Sequence, residues 1–343
     1  MTHPADLPVL AITPGDCTGI GPEQTARILA EPKLREIARL VFVGDLRVLA
    51  LGQRQANVAF ECVSIPSPAA ADWSDPRQPV VDLGNIDPTR FPPGLSNPES
   101  GKLTGDTLAA VIGFAKAGEI DGVTFAPLNK QAMYNGGWKF PDEHKMFAHL
   151  LGHTGLFSEM NVLDNQWIAR VTSHVSLREA LNQITFDRIC DALTLADDTM
   201  RKAGIARPRI AVAALNPHAG EGGLFGREEI EIIRPAVEHM AKKGIDCKGP
   251  FPADTIYLKA FAGAYDNVLS MYHDQGQIAT KLKGFNKGVT ISAGLAIVLT
   301  TPAHGTAFDI VGKGIADTGA FESAVRLAAR IAGRKRTERA KAA

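Results

Sequence analysis

Three histidines stand where apolar, strand-like runs end. Residues 167–172 lead to Ser173-His174, residues 209–215 lead through Asn216-Pro217 to His218, and residues 267–272 lead to His273. In open α/β sheets, ligands gather beyond the carboxyl ends of the strands. Histidines 44 and 55 residues apart along the chain can therefore converge in space. Neutral imidazole is the commonest nitrogen ligand of a divalent metal, and three protein ligands with a position left open describe a catalytic centre. The competing reading is that each ring closes its strand by hydrogen-bonding a loop. The neighbours favour chemistry. Asn216-Pro217-His218-Ala219-Gly220-Glu221-Gly222-Gly223 permits close backbone approach, because glycine adopts conformations that other residues avoid. His273-Asp274-Gln275-Gly276 reads as a polar turn after an apolar strand.

Lys281 follows His273 by eight residues, and its ammonium can hold an anionic group or, with a shifted pKa, act as a base. Lys130, in Ala126-Pro127-Leu128-Asn129-Lys130, follows another strand-like run and is a second candidate. The alternative for both lysines is a surface charge. Two glycine-rich loops add backbone N–H groups. The first, residues 13–23, carries Gly15, Gly19 and Gly21 and opens a helix, a place suited to a bound ligand, although it lacks the GxGxxG spacing of a dinucleotide fingerprint. A tight structural turn is the other reading. The second loop, residues 302–316, contains His304, Gly305 and Asp309.

The elements that must position these groups alternate. Strands are expected at residues 7–13, 40–43, 80–83 and 122–125, and helices at 22–30 and 101–117. Residues 66–93 are irregular and rich in Pro, Ala and Asp. Continuous apolar strands separated by helices imply a mostly parallel α/β sheet covered on both faces. The 343 residues suggest about two domains. Lys+Arg and Asp+Glu are each 37, so there is no basic excess for nucleic acid; the short basic run 334–339 reads as a solvated helix end. No apolar stretch is long enough to span a bilayer, and residues 1–8 do not resemble a secretory signal. Cys17, Cys62, Cys190 and Cys247 are scattered without a CxxC pair, which fits reduced thiols and a cytoplasmic protein.

The two glycine-rich loops resemble the end motifs of the β-decarboxylating dehydrogenases, the isocitrate and isopropylmalate dehydrogenases. A closer resemblance, over nearly the whole chain, is to the 4-hydroxythreonine-4-phosphate dehydrogenase family of vitamin B6 synthesis. It rests on GDCTGIGPE, APLNK, SHVSLREAL, NPHAGEGGLFG, GPFPADT, MYHDQG and HGTAFDIVGKG. The resemblance implies two α/β lobes of isocitrate/isopropylmalate dehydrogenase type with a cleft between them. Residues 1–126 with 285–343 would form the cofactor lobe, where the early and late loops meet, and 127–284 the metal, substrate and dimer lobe. It implies a homodimer with a shared active site, NAD or NADP as cofactor, and one divalent metal held by His174, His218 and His273 from both subunits. Zinc or cobalt suits three imidazoles better than magnesium, which prefers oxygen ligands. His304, Gly305 and Asp309 would hold the adenosine half of the cofactor, with Gly15 and Gly21 in the matching early loop. Lys281 and Asp254 would be catalytic.

The resemblance breaks at the substrate end. Where the family carries Gly-His-Thr, this chain reads Asp142-Glu143-His144; a family asparagine is Thr290, and a family arginine is Leu299. Glu143, His144, Lys281 and Thr290 are thus the expected substrate contacts. Leucine cannot offer the paired, charge-assisted hydrogen bonds by which a guanidinium holds a phosphate or carboxylate. The expected reaction is oxidation of a small hydroxy acid followed by loss of CO2, with the distal end of the substrate recognised differently. Threonate 4-phosphate and an aromatic cis-dihydrodiol such as that of terephthalate are the alternatives within the oxidoreductases. A phosphate acetyltransferase, which resembles the fold but uses no metal trio, is the alternative from another class.

Overall fold

A computed structural model describes residues 7–284 and 287–342. The chain forms a mixed α/β fold of two compact units, Met1–Thr154 with Leu295–Ala343, and Gly155–Gly294. The expectation set the crossings near 126, within the first unit, and at 285, which lies outside the described residues. The segment after residue 126 stays with the first unit for a packing reason. Its helix Lys130–Asn135 lies against the helix Pro98–Lys116 so closely that a Cβ on Gly101 would sit 2.1 Å from the Ala132 carbonyl carbon. Farther on, Phe147 stacks edge-on against Phe125 at 5.5 Å between ring centres.

The first unit is an all-parallel sheet. β3 (Cys62–Ser64), β4 (Gln78–Asp82), β2 (Arg39–Gly44), β1 (Val9–Thr13), β5 (Gly122–Phe125) and β12 (Val298–Pro302) lie side by side in that order. β1, β2 and β5 are almost wholly buried, as apolar strands covered on both faces must be. Pro22 sits in the first turn of the helix Gly21–Ala30, where its missing N–H costs nothing. Asn97 caps Pro98–Lys116 by accepting from Glu99 N at 2.8 Å.

The Gly155–Gly294 unit has the order β11 (Val289–Ala293), β6 (Ser158–Leu163), β7 (Gln166–Arg170), β10 (Asn267–Ser270), β8 (Ile210–Ala213) and β9 (Cys247–Phe251). β6 runs antiparallel to both β11 and β7, an exception within the sheet expected to be mostly parallel. β7, β10, β8 and β9 are mutually parallel. Their core joins Ile168, Ala211, Val268, Ile256 and Tyr257. Among the described residues, no helix is long and apolar enough to cross a membrane. The four cysteines are free thiols, and burial pushes the Cys17 thiol up to about 12 and the Cys247 thiol up to about 11.

Candidate active site

β10 lies between β7 and β8, parallel to both, with Ser270 opposite Arg170 and Leu269 opposite Val212. The three chain segments bearing His174, His218 and His273 therefore leave the sheet at one edge. Neighbouring strands are about 4.8 Å apart, so His218 begins roughly two strand spacings from His174. The structure brings two of the three rings together. His174 and His273 have ring centres 5.4 Å apart. They line a recess of about 210 Å³ with Thr172, Ser173, Tyr272 and Asp274. His218 points elsewhere: its side chain is 67 % exposed, against 32 % for His174 and 35 % for His273, and it lies beside Glu221 and Phe225. Among the described residues, no group of three or more His, Cys, Asp or Glu side chains is gathered closely enough to hold a metal ion. The expected trio is thus a pair within one chain.

The pair suits a metal. Two imidazoles on one tetrahedral ion, each at about 2.0 Å through nitrogen, place their ring centres roughly 5.2 Å apart, close to the separation seen here. The His273 ring also has a carboxylate hydrogen-bonded at one nitrogen, the usual device for fixing a ligand's tautomer, and the His174 ring has one farther off. His273 Nδ1 is 2.7 Å from Asp274 Oδ1, and His174 Nε2 is 3.7 Å from Glu159 Oε2.

The backbone around these histidines is strained. His174 has φ 50°, and His218, Ala219, Gly220, Glu221 and Gly222 are successively left-handed. For non-glycine residues that conformation costs about 1–2 kcal/mol each, and it persists only where surroundings enforce it. For the His218 loop the enforcement comes from Glu229. Its fully buried carboxylate accepts from Leu215 N at 2.9 Å, Asn216 N at 2.7 Å and Asn216 Nδ2 at 2.9 Å.

Lys281 and Asp254 take different places. His273-Asp274-Gln275-Gly276 is the first turn of a helix, His273–Gly284, and not a loop turn. Eight helical residues span about 12 Å of axis, so Lys281 stands farther from His273 than its sequence spacing suggests. Both Lys281 and Asp254 are exposed, Asp254 in the first turn of the helix Ala253–Phe261. Thr290 is buried on β11, and its hydroxyl accepts a 3.0 Å hydrogen bond from Asn161 Nδ2. A network that sequence reasoning missed lies here. Buried Arg170 donates to Asn161 Oδ1 and faces Glu159 Oε1 at 3.7 Å, and burial lowers its pKa. The available signal was a charged residue at the end of an apolar strand.

In the first unit the early and late glycine loops meet. Ile20 N donates to Thr306 O at 3.1 Å, Gln24 Nε2 lies 3.3 Å from His304 Nε2, and Ala316 N donates to Glu23 Oε1 at 2.9 Å. The loops differ in what their glycines leave open. A Cβ on Gly15 would strike Pro127 O at 2.4 Å, and one on Gly21 would strike Pro14 O at 2.0 Å, so the chain itself fills those spaces. A Cβ on Gly305 would meet nothing within 4 Å among the described residues, and both Gly305 and Asp309 are exposed, so the late loop leaves open space at its glycine where the early loop does not. Asp16, beside Gly15, is buried, which raises its carboxyl pKa against the hydrogen bonds from Thr18 and Ser100.

Asp142, Glu143 and His144 open the helix Glu143–Leu151, with Asp142 as its cap, accepting from Lys145 N at 2.9 Å. Glu143 is buried and lies 2.9 Å from Lys130 Nζ, with His144 Nε2 at 3.7 Å. Gly152, at φ 64°, closes the same helix. Leu299 is buried on β12 opposite Val123.

The pyridoxal phosphate biosynthetic protein PdxA family matches residues 36–328. A D-threonate 4-phosphate dehydrogenase of Cupriavidus necator is 40 % identical over 330 residues, covering 96 % of this chain and 98 % of its own. A 4-hydroxythreonine-4-phosphate dehydrogenase of Beijerinckia indica is 40 % identical over 325 residues, covering 94 % of each. The solved structure of 4-hydroxythreonine-4-phosphate dehydrogenase from Klebsiella pneumoniae superposes with a TM-score of 0.81 at 38 % identity, covering 95 % of this chain and 99 % of that one. Extent and identity together place this chain in the PdxA family, a family of dehydrogenases that act on CH–OH groups.

Proposed function

We propose that the chain is a metal-dependent, nicotinamide-linked dehydrogenase of phosphorylated hydroxy acids, of the 4-hydroxythreonine-4-phosphate or threonate 4-phosphate kind. The observation that carries the reading is the His174–His273 ring pair at the carboxyl ends of β7 and β10 in a chain of this family. These imidazoles, with His218 joining in the assembled homodimer, would hold a divalent ion, which would supply Lewis acidity at the substrate hydroxyl. Imidazole donors favour zinc or cobalt over magnesium. NAD or NADP, when bound, would supply the acceptor for the carbinol hydride, while the hydroxyl proton passes to a base of this chain. The 3-oxo acid formed then breaks its bond to the carboxylate carbon and releases CO2. In this scheme the Asp254 carboxylate takes or steers the hydroxyl proton, and Lys281 Nζ holds the acid end. His304, Gly305 and Asp309 would hold the adenosine half of the cofactor.

The distal end of the substrate meets an altered receptor. Leu299 offers no donor there, but Lys130 balances Glu143 at 2.9 Å, so that carboxylate does not oppose a phosphate alone. The homodimer is supported by where exposed apolar side chains fall. Leu177, Leu181, Leu224, Leu258, Ile278 and Leu282, each 49–84 % exposed, belong to the Gly155–Gly294 unit, against Leu95 at 59 % and Ile315 at 63 % in the first.

The test is a substrate panel with NAD or NADP and added Zn²⁺, Co²⁺ or Mg²⁺, read as growth of reduced nicotinamide absorbance. Turnover of a phosphorylated hydroxy acid is the expected result. Turnover of the terephthalate cis-dihydrodiol with none of the phosphorylated acids overturns the substrate class. His218→Ala should abolish metal binding and turnover with the fold intact, and an unchanged kcat would remove His218 from the centre.

A further inference from the structure

A continuous line of polar side chains runs through the Gly155–Gly294 unit and ends at His174. Thr290 Oγ1 accepts from Asn161 Nδ2 at 3.0 Å, and Asn161 Oδ1 accepts from Arg170 Nη2. Arg170 Nη1 faces Glu159 Oε1 at 3.7 Å, and the other carboxylate oxygen, Oε2, faces His174 Nε2 at 3.7 Å. Thr290, Asn161 and Arg170 are buried, Arg170 at 2 %, and Glu159 keeps only 10 % of its side-chain exposure. A buried guanidinium demands a negative partner, and a buried carboxylate demands a positive one. The two charges attract each other across 3.7 Å without a hydrogen bond, and Arg170 Nη1 has no hydrogen-bond partner among the described residues, while Glu159 Oε2 lies on the side of the imidazole.

We propose that Glu159 is the positioning residue of His174: with the Arg170 charge behind it, its carboxylate, 3.7 Å from Nε2, biases the imidazole's tautomer and aim, so that the remaining nitrogen faces the recess shared with His273. This rests on the reading of His174 and His273 as metal ligands. His174 has particular need of such a bias, since its own backbone is left-handed at φ 50° and its side chain is one-third exposed. Thr290, at the position expected to touch substrate, then acts at one remove. Its hydroxyl holds Asn161, which holds Arg170.

The test is titration of metal-stripped protein with Zn²⁺, together with thermal unfolding of the same samples without metal. Loss of a carboxylate behind a ligating histidine weakens metal binding by roughly 10–100-fold. Glu159→Gln is expected to show that loss, with the apo protein still folded. Because the variant strands Arg170, a double variant, Glu159→Met with Arg170→Met, removes both buried charges and is expected to show the same loss in a stably folded protein. Nitrogen NMR of the apo double variant should also show His174 distributed between tautomers, where the wild type shows one. Wild-type zinc affinity in the folded double variant overturns the assignment. His174→Ala separates the two readings: if it binds zinc as the wild type does, the metal site itself fails, whereas loss of binding there with none in the double variant refutes only the role of Glu159.

Discussion

His174 and His273 face each other, each with a carboxylate within 3.7 Å of one nitrogen and about a third of its side chain open, whereas His218, beside Phe225 and Glu221, is 67 % exposed. That combination separates a ligand from a ring that merely closes a strand. Replacing His273 by Ala should weaken zinc binding beyond the roughly 10–100-fold of an outer-shell loss, and isothermal titration measures it. A contrasting result is expected at Leu299. It is 1 % exposed in an apolar sheet, so Leu299→Arg buries an unpaired guanidinium and should cost several kcal/mol, on the order of 3–5, read as a lower urea midpoint. The variant should not gain affinity for a phosphorylated substrate. Sequence spacing showed that a family arginine was missing at this position; only the burial shows that the position cannot take one back.

The elements were legible where their physics is local. β5 is bounded as expected at Gly122–Phe125, and β7, β10 and β8 were visible as continuous apolar runs because parallel strands are buried on both faces. β6 and β11 were not, since their antiparallel pairing brings Glu159, Asn161, Thr290 and Ser292 into line and breaks the apolar signal. The helix His273–Gly284 read as a turn because of its polar start and Gly276. That glycine is there for contact, since a Cβ would lie 2.8 Å from Ser270 Oγ and 2.9 Å from an Ile168 methyl. The same logic predicts the sign at Gly101. Alanine favours a helix by about 1 kcal/mol over glycine, but the added Cβ would collide with the backbone of Ala132, an overpacking worth roughly 1–3 kcal/mol or more. Gly101→Ala should therefore lower the melting temperature. Asp45, capping the helix Leu46–Ala56, supplies a pH dependence. Burial raises its carboxyl pKa, but hydrogen bonds from the Arg47 side chain, Ile86 N and Arg47 N outweigh it and hold the group below its ordinary 3.8. A depressed carboxyl stabilises the fold above the unfolded-state value, and that share is lost as pH falls through the folded-state value. Denaturant midpoints below pH 4 should fall less steeply for Asp45→Asn than for the wild type.

Over the chain as a whole, the His174–His273 pair and most of the exposed large apolar side chains among the described residues fall in the Gly155–Gly294 unit. Light scattering should return twice the 36.6 kDa chain mass, and Leu224→Glu combined with Leu282→Glu should shift it toward one chain. The position of His218 was the part of the site that sequence reasoning could not resolve. Strand-end placement fixes where a residue leaves the sheet, and not where a left-handed loop held by Glu229 then aims it. The most direct test of the central claim is anomalous diffraction from a crystal of the zinc-loaded enzyme, collected on both sides of the zinc edge. The account predicts one strong peak per chain within about 2.1 Å of an imidazole nitrogen of both His174 and His273. A peak bound elsewhere, or density at one of those rings without the other, would contradict it.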